Sequence, residues 1–144
     1  MIYKTTKEDL LRDGVIRKCE KDNKSVKRLM ERAKQDIITA ERNLKDDPEC
    51  TFTFSYNALM RCGLALMSND GFRPDIKDKH INIIKYATVV LGKENKDILS
   101  LYDYMRRKRN RFTYEPEIPC SDLEAKEAIK TAKEFLEIVE KNLG

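Results

Sequence analysis

The stretch that most limits what this chain can fold into is residues 48–68. On a helical wheel it is apolar in nearly every direction: Phe52, Phe54, Tyr56, Ala58, Leu59, Met60, Cys62, Leu64, Ala65, Leu66 and Met67. A helix of that kind has no face to give to water and must be covered by neighbours. Asp47 before it is a natural cap, and Pro48 suits the first helical position. Asn69-Asp70-Gly71-Phe72-Arg73-Pro74 after it reads as a turn. The rest of the fold must therefore supply the cover.

It does so as further helices. Val26, Leu29, Met30, Ala33, Ile37, Ala40 and Leu44 recur at helical spacing after a polar stretch, 17–24. Ile81, Ile84, Tyr86, Ala87, Val90 and Leu91 do the same over 76–91, and Gly92 stops them. A fifth helix begins near Asn95 and ends by Tyr114, because Glu115 precedes Pro116 and is disfavoured in helical geometry. Ile118-Pro119-Cys120 is an extended link. Ser121-x-x-Glu124 then forms a capping box for the last helix, with Ala125, Ala128, Ala132, Phe135, Val139 and Leu143 inward. At the other end, Thr5-x-x-Glu8 and Thr6-x-x-Asp9 offer boxes for a short helix over 7–13, ended by Gly14. Nothing alternates with period two over a convincing length. The expected fold is all-α: an antiparallel up-and-down bundle of about five main helices plus a short N-terminal helix. It forms one domain over 1–144, with 1–24 as an N-terminal extension.

Composition narrows the function classes. No apolar run approaches the roughly 18 residues that span a bilayer, and Met1 to Thr6 lacks the apolar centre of a signal peptide. A cytoplasmic location without membrane association is expected. Cys19, Cys50, Cys62 and Cys120 are scattered and form no C-x-x-C pair; Cys62, in its apolar setting, reads as a small core residue. One histidine, His80, cannot supply the paired Glu-x-x-His motifs of a di-iron bundle. The five glycines are isolated, so there is no phosphate-cradling loop. Neither a metal nor a cofactor is expected.

The charge is concentrated. Arg106-Arg107-Lys108-Arg109-Asn110-Arg111 holds five cations and no anion, and taking those five from the net +4 leaves −1 for the remainder. That points to an anionic partner at one place. Cations in a last helical turn also complement the helix dipole, and Arg106, Lys108 and Arg111 read singly as such solvated ends. Arg109 does not. On the wheel it falls among Ile98, Leu101, Tyr102, Met105 and Phe112, where a guanidinium is costly unless paired or reached by water. It is expected to point into a groove or a subunit interface. Arg107, Asn110, Arg111 and Tyr114 gather on the opposite side. Tyr102, Tyr104, Phe112 and Tyr114 interleave with the cations, and aromatic rings there can stack on unpaired bases.

Three stretches resemble the HEPN family of small helical domains, over about 26–143. They are Phe54-Ser55-Tyr56-Asn57-Ala58-Leu59, then Gly71-Phe72-Arg73-Pro74 followed by His80, and Met105 through Tyr114 around the arginines. The resemblance implies a homodimer with two Arg-polar-x-x-x-His motifs in a shared cleft that, in active members, cuts RNA without metal. It also implies a prokaryotic toxin–antitoxin or defence setting, often beside a nucleotidyltransferase-type antitoxin. Arg109 matches the motif's arginine, which holds phosphate, and Asn110 its polar residue. Tyr114 stands where the histidine should be. With an ordinary pKa of about 10, a tyrosine is ionised in about one molecule per thousand at pH 7 and is a poor general base. Tyr114 can still hydrogen-bond a phosphate, stack on a base or be modified by a partner. His80, on another helix, is an alternative acid–base group or a structural histidine.

The expected function is thus a homodimer binding RNA or a nucleotide through Arg109, Asn110 and Tyr114, assisted by Arg106, Arg107, Lys108 and Arg111. Metal-independent cleavage is its catalytic extension, through attack of a ribose 2′-hydroxyl on the adjacent phosphate. The alternative is a non-catalytic bundle that dimerises or docks a nucleotidyltransferase-type partner, with Arg109 closing an interface salt bridge. A double-stranded DNA reader is set aside for want of a recognition-helix pair.

Overall fold

The computed structural model describes residues 4–144. Met1 to Tyr3, read above as part of a start without signal-peptide character, lie outside the described residues. The elements in order are α1 (Lys7–Arg12), β1 (Ile16–Lys18), α2 (Asn23–Asn43), α3 (Pro48–Asp70), β2 (Phe72–Pro74), α4 (Lys79–Leu91), α5 (Lys96–Tyr114) and α6 (Asp122–Leu143), with a 3-10 turn at Lys93–Asn95. The fold is an all-α bundle with one small strand pair.

The local signals act as their chemistry suggests. Thr6 and Asp9 close a reciprocal capping box on α1, and Ser121 and Glu124 close one on α6. The Asp47 carboxylate accepts from the Cys50 N–H, with Pro48 opening α3. Gly71 ends α3 in the left-handed region at φ 81°, where a side chain would be strained. α3 is the central helix and packs against α2, α4, α5 and α6. Tyr56, Leu59, Cys62, Ala65 and Met67 along it are fully buried. A ring stack crosses the core from α3 to α6: Tyr56 lies edge-on to Tyr102 at 5.9 Å, and Tyr102 edge-on to Phe135 at 5.4 Å.

Two local features, and the sense in which α4 runs beside α3, depart from the sequence reading. Residues 16–18, which enter the polar stretch 17–24, and 72–74, read as turn, pair as antiparallel strands with Ile16 opposite Pro74, Arg17 opposite Arg73 and Lys18 opposite Phe72. Three residues are too few to show a period of two. The pair ties the N-terminal segment to the bundle, where Leu10 and Ile16 are buried. α4 starts at Lys79 rather than near 76, because residues 75–77 are held as loop. The Asn82 amide donates to the carbonyls of Asp75 (3.3 Å) and Lys77 (2.7 Å), and the Asp75 carboxylate accepts from the Lys77 N–H.

That loop also sets direction. Tyr56 meets His80, Gly63 faces Ile83 and Asp70 meets Tyr86, so positions advance together along α3 and α4. The two helices run in the same general sense, the chain having doubled back through β2. α5 then returns antiparallel, with Phe112 against Phe52 and Arg109 against Tyr56. Among the described residues no helix is long and apolar enough to cross a membrane.

Candidate functional site

α5 turns Tyr102, Met105 and Phe112 into the core. Arg109 lies on this face, one turn from Met105 and from Phe112, as the wheel indicates. Its guanidinium rests over the Tyr56 ring, with Cζ 5.4 Å from the centroid. Arg109 is half-buried, and among the described residues it makes no ion pair. Its Nε is fully buried and has no hydrogen-bond partner among the described residues. A buried donor left so costs about 1–3 kcal/mol.

Tyr56, which carries it, is fully buried. Burial pushes its hydroxyl up to about 12, outweighing the opposing pull of Arg109 and Arg106, so it keeps its proton. That hydroxyl lies 2.8 Å from His80 Nδ1, and the two rings stack at 5.7 Å with 28° between their planes. The bond fixes the imidazole in either tautomer: the hydroxyl donates to a bare Nδ1 or accepts from Nδ1–H. Nε2 has no hydrogen-bond partner among the described residues. Burial, then Arg109, Lys79 and Arg106, hold the His80 pKa below its ordinary value. The ring is neutral at pH 7.

The small sheet positions this histidine. Arg17 of β1 donates to the Asp75 carboxylate at 2.5 Å, and the Asp75 N–H donates to the Val15 carbonyl at 3.0 Å. Asp78 then enters α4 at φ 59°, in the left-handed region, two residues before His80.

The other cations of the run are largely neutralised within the chain. Asp103 accepts Arg106 at 2.9 Å and Arg107 at 3.5 Å. Lys108 meets Glu124 at 3.2 Å and lies over the Phe112 ring, and Arg111 meets Glu115 at 3.3 Å. Asn110 is exposed, and Tyr114 is 81% exposed at the helix end, away from Arg109. Within one chain the structure therefore does not bring Tyr114 to Arg109. It brings Tyr56 and His80. The proposed stacking role also divides: Tyr102 and Phe112 are buried core rings and unavailable to a base, whereas Tyr104 (45%) and Tyr114 are exposed.

A family model for the HEPN domain matches residues 26–142. This chain belongs to the HEPN family. The match spans α2 to α6 and so contains Tyr56, His80 and Arg109, all three of which fall within the stretches that carried the resemblance. No curated protein and no solved structure matches the chain. Tyr56 was missed as a site residue, although its stretch was singled out; its apolar neighbours marked it as core. As a HEPN domain the protein has a nucleotide- or RNA-related function in general terms.

Proposed function

We propose that this HEPN protein acts as a homodimer that binds RNA, with Arg109 gripping a phosphate beside the His80 ring. One observation carries the reading: Arg109 is the cation of the run that is half-buried, stacked on Tyr56 and without an ion pair among the described residues. A guanidinium offers a fork of donors matched to phosphate oxygens. Its fixed position means that little freedom is lost on binding.

The same arrangement supports cleavage without the motif histidine. A neutral His80 can take the ribose 2′-hydroxyl proton at Nε2 as the 2′-oxygen attacks the adjacent phosphorus. The bond from phosphorus to the 5′-oxygen then breaks, and that oxygen takes a proton from solvent water while His80 returns its own to solvent, leaving a 2′,3′-cyclic phosphate. Arg109 offsets the charge that builds on the phosphoryl oxygens. Tyr114 and Asn110, exposed at the end of α5, are assigned to the RNA rather than to Arg109. Arg106, Arg107, Lys108 and Arg111 contribute as secondary phosphate contacts, after release from their carboxylates.

The test is RNA binding and cleavage in the absence of metal at two salt concentrations, for wild type, Arg109→Ala, His80→Gln and Tyr114→Phe. Arg109→Ala should weaken binding about tenfold to a hundredfold, the loss of one charge-assisted contact. Cleavage carried by His80 should vanish in His80→Gln and persist in Tyr114→Phe. Salt-insensitive behaviour with no RNA bound by wild type would end the proposal.

One further observation favours the alternative, a partner-docking bundle. Leu101 (45%) and Leu123 (67%) are exposed with Tyr104 around an apolar hollow of about 260 Å³ between α5 and α6. We assign this face to the second copy of the chain, which sets two α5 helices side by side. A nucleotidyltransferase-type antitoxin in a toxin–antitoxin setting is the competing occupant.

A further inference from the structure

In sequence Arg106 reads singly as a solvated helix end, yet its side chain is not solvated. It is 18% exposed, against 62% for Arg107 and 54% for Arg111. Its place on α5 is the reason. Tyr102, Arg106 and Arg109 stand at i, i+4 and i+7 and so share one stripe of the helix. Tyr56 touches both ends of that stripe, edge-on to Tyr102 at 5.9 Å and under the Arg109 guanidinium at 5.4 Å. Arg106, between them, lies beside Tyr56 and the His80 ring stacked on it. Burial sets the direction of the pKa at both groups. Among the charges that act on them, Arg106 stands with Arg109: it opposes the rise at Tyr56 and adds to the fall at His80.

Asp103, one turn back on α5, accepts from the Arg106 Nε at 2.9 Å. That is the one hydrogen bond Arg106 makes among the described residues, so its two terminal nitrogens keep their donors free. A side chain pinned at Nε has already given up much of the rotamer freedom that binding would otherwise cost. Arg107 and Arg111 are also met by carboxylates at Nε, but they stand off the stripe and are more than half exposed.

A phosphodiester presents two non-bridging oxygens, and charge builds on both as a nucleophile adds to phosphorus. Side chains at i and i+3 leave a helix about 5–6 Å apart, close enough for two guanidiniums to meet on one phosphate. We infer that Arg106 is the second arm of the phosphate grip at Arg109, and that Asp103 is the positioning residue that aims it. This rests on the proposed function and sharpens it: Arg106 acts from its place on Asp103 rather than after release from it.

Two measurements test the inference, with circular dichroism as the check on folding. The first needs no RNA. An NMR titration follows the His80 ring, which Tyr56, Lys79, Arg106 and Arg109 surround. Arg106→Gln removes one of the cations that depress its pKa, so that pKa should rise. A pKa left in place would set Arg106 apart from the site and overturn the inference.

The second is binding of an RNA dinucleotide that carries one phosphate and a 2′-methoxy group, so that flanking phosphates do not contribute and cleavage cannot occur. Arg106→Gln and Asp103→Ala should each weaken it about tenfold, the loss of one charge-assisted contact. Asp103→Asn keeps an acceptor for Nε and removes only the charge, so it should bind at least as well as wild type. Tighter binding by Asp103→Ala would make Asp103 a competitor of the phosphate and overturn its positioning role. Unchanged binding by Arg106→Gln, with Arg109→Ala impaired, overturns the second arm and leaves the proposed function standing. A dinucleotide that wild type does not bind overturns both.

Discussion

At the His80 ring, burial and the nearby cations act in one direction, and the sign of the pH dependence follows. The folded pKa lies below the unfolded value of about 6.5. The stability this ring contributes is present above pH 6.5 and is lost as pH falls through the folded pKa, when the unfolded chain takes up the proton first. His80→Gln should therefore flatten the decline in stability as pH falls below about 6.5, as followed by urea unfolding. A bound phosphate reverses the electrostatics, favouring the imidazolium. If RNA binds as proposed, binding by wild type should take up protons near this pH, and the Gln variant should not. Tyr102 is a different case. Its hydroxyl is fully buried and has no hydrogen-bond partner among the described residues. Tyr102→Phe removes an unsatisfied group and should leave stability unchanged or raise it by up to about 1 kcal/mol. A loss above 1 kcal/mol in denaturant unfolding would show that the hydroxyl has a partner.

Among the elements, α3 and α4 meet closely at a glycine. A Cβ on Gly63 would overlap the Ile83 side chain, so Gly63 is the residue that lets the two helices meet. Gly63→Ala should cost about 1–3 kcal/mol through overpacking, seen as a fall of roughly 3–10 °C in Tm for a chain of this size. Trimming Ile83 to Ala in the same chain should return part of it. Because α4 carries His80, the Gly63 variant should also lose RNA affinity. The ends of the elements were legible in sequence wherever a side chain caps them: Thr6 with Asp9, Ser121 with Glu124, Asp47 before Pro48, Gly92 after α4. The path between α3 and α4 was not. It depends on Asn82 holding two carbonyls seven and five residues back and on a strand pair joining residues far apart in the chain. The meeting of His80 with Tyr56 follows from that path, so sequence placed Arg109 on the right face and did not supply its neighbours. Of the ion pairs that neutralise the basic run, Arg106, Arg107 and Arg111 have carboxylates three or four residues away, which spacing alone offers. The Lys108 pair with Glu124 needs α6 folded back on α5.

At the scale of the whole molecule, the two faces flanking α5 differ in chemistry. Towards α4 lies a groove edged by Lys85, Lys96 and Arg107; towards α6 lies the hollow rimmed by Leu101, Tyr104 and Leu123, with Glu124 and Glu127 beside it. If the proposed homodimer forms through this face, a carboxylate at both exposed leucines, Leu101→Glu/Leu123→Glu, should convert it to monomer in light scattering without lowering Tm. A variant that stays dimeric would move the interface elsewhere. The bundle itself is bound by contacts that leave these faces alone. Buried Asp36 on α2 is paired with Arg61 on α3, and Lys34 and Lys133 link α2 and α6 through Glu140 and Glu41.

The strand pair carries a consequence for how this protein can diverge. The family match begins at residue 26, yet Arg17 and Val15 hold the Asp75 loop from which α4 and His80 depart. Residues 15–17, ahead of the matched domain, are thus a setting screw for a ring that lies past the loop they grip. Exchanging leaders between relatives could retune that imidazole, and with it the chemistry, while every residue of the family pattern stays as it is.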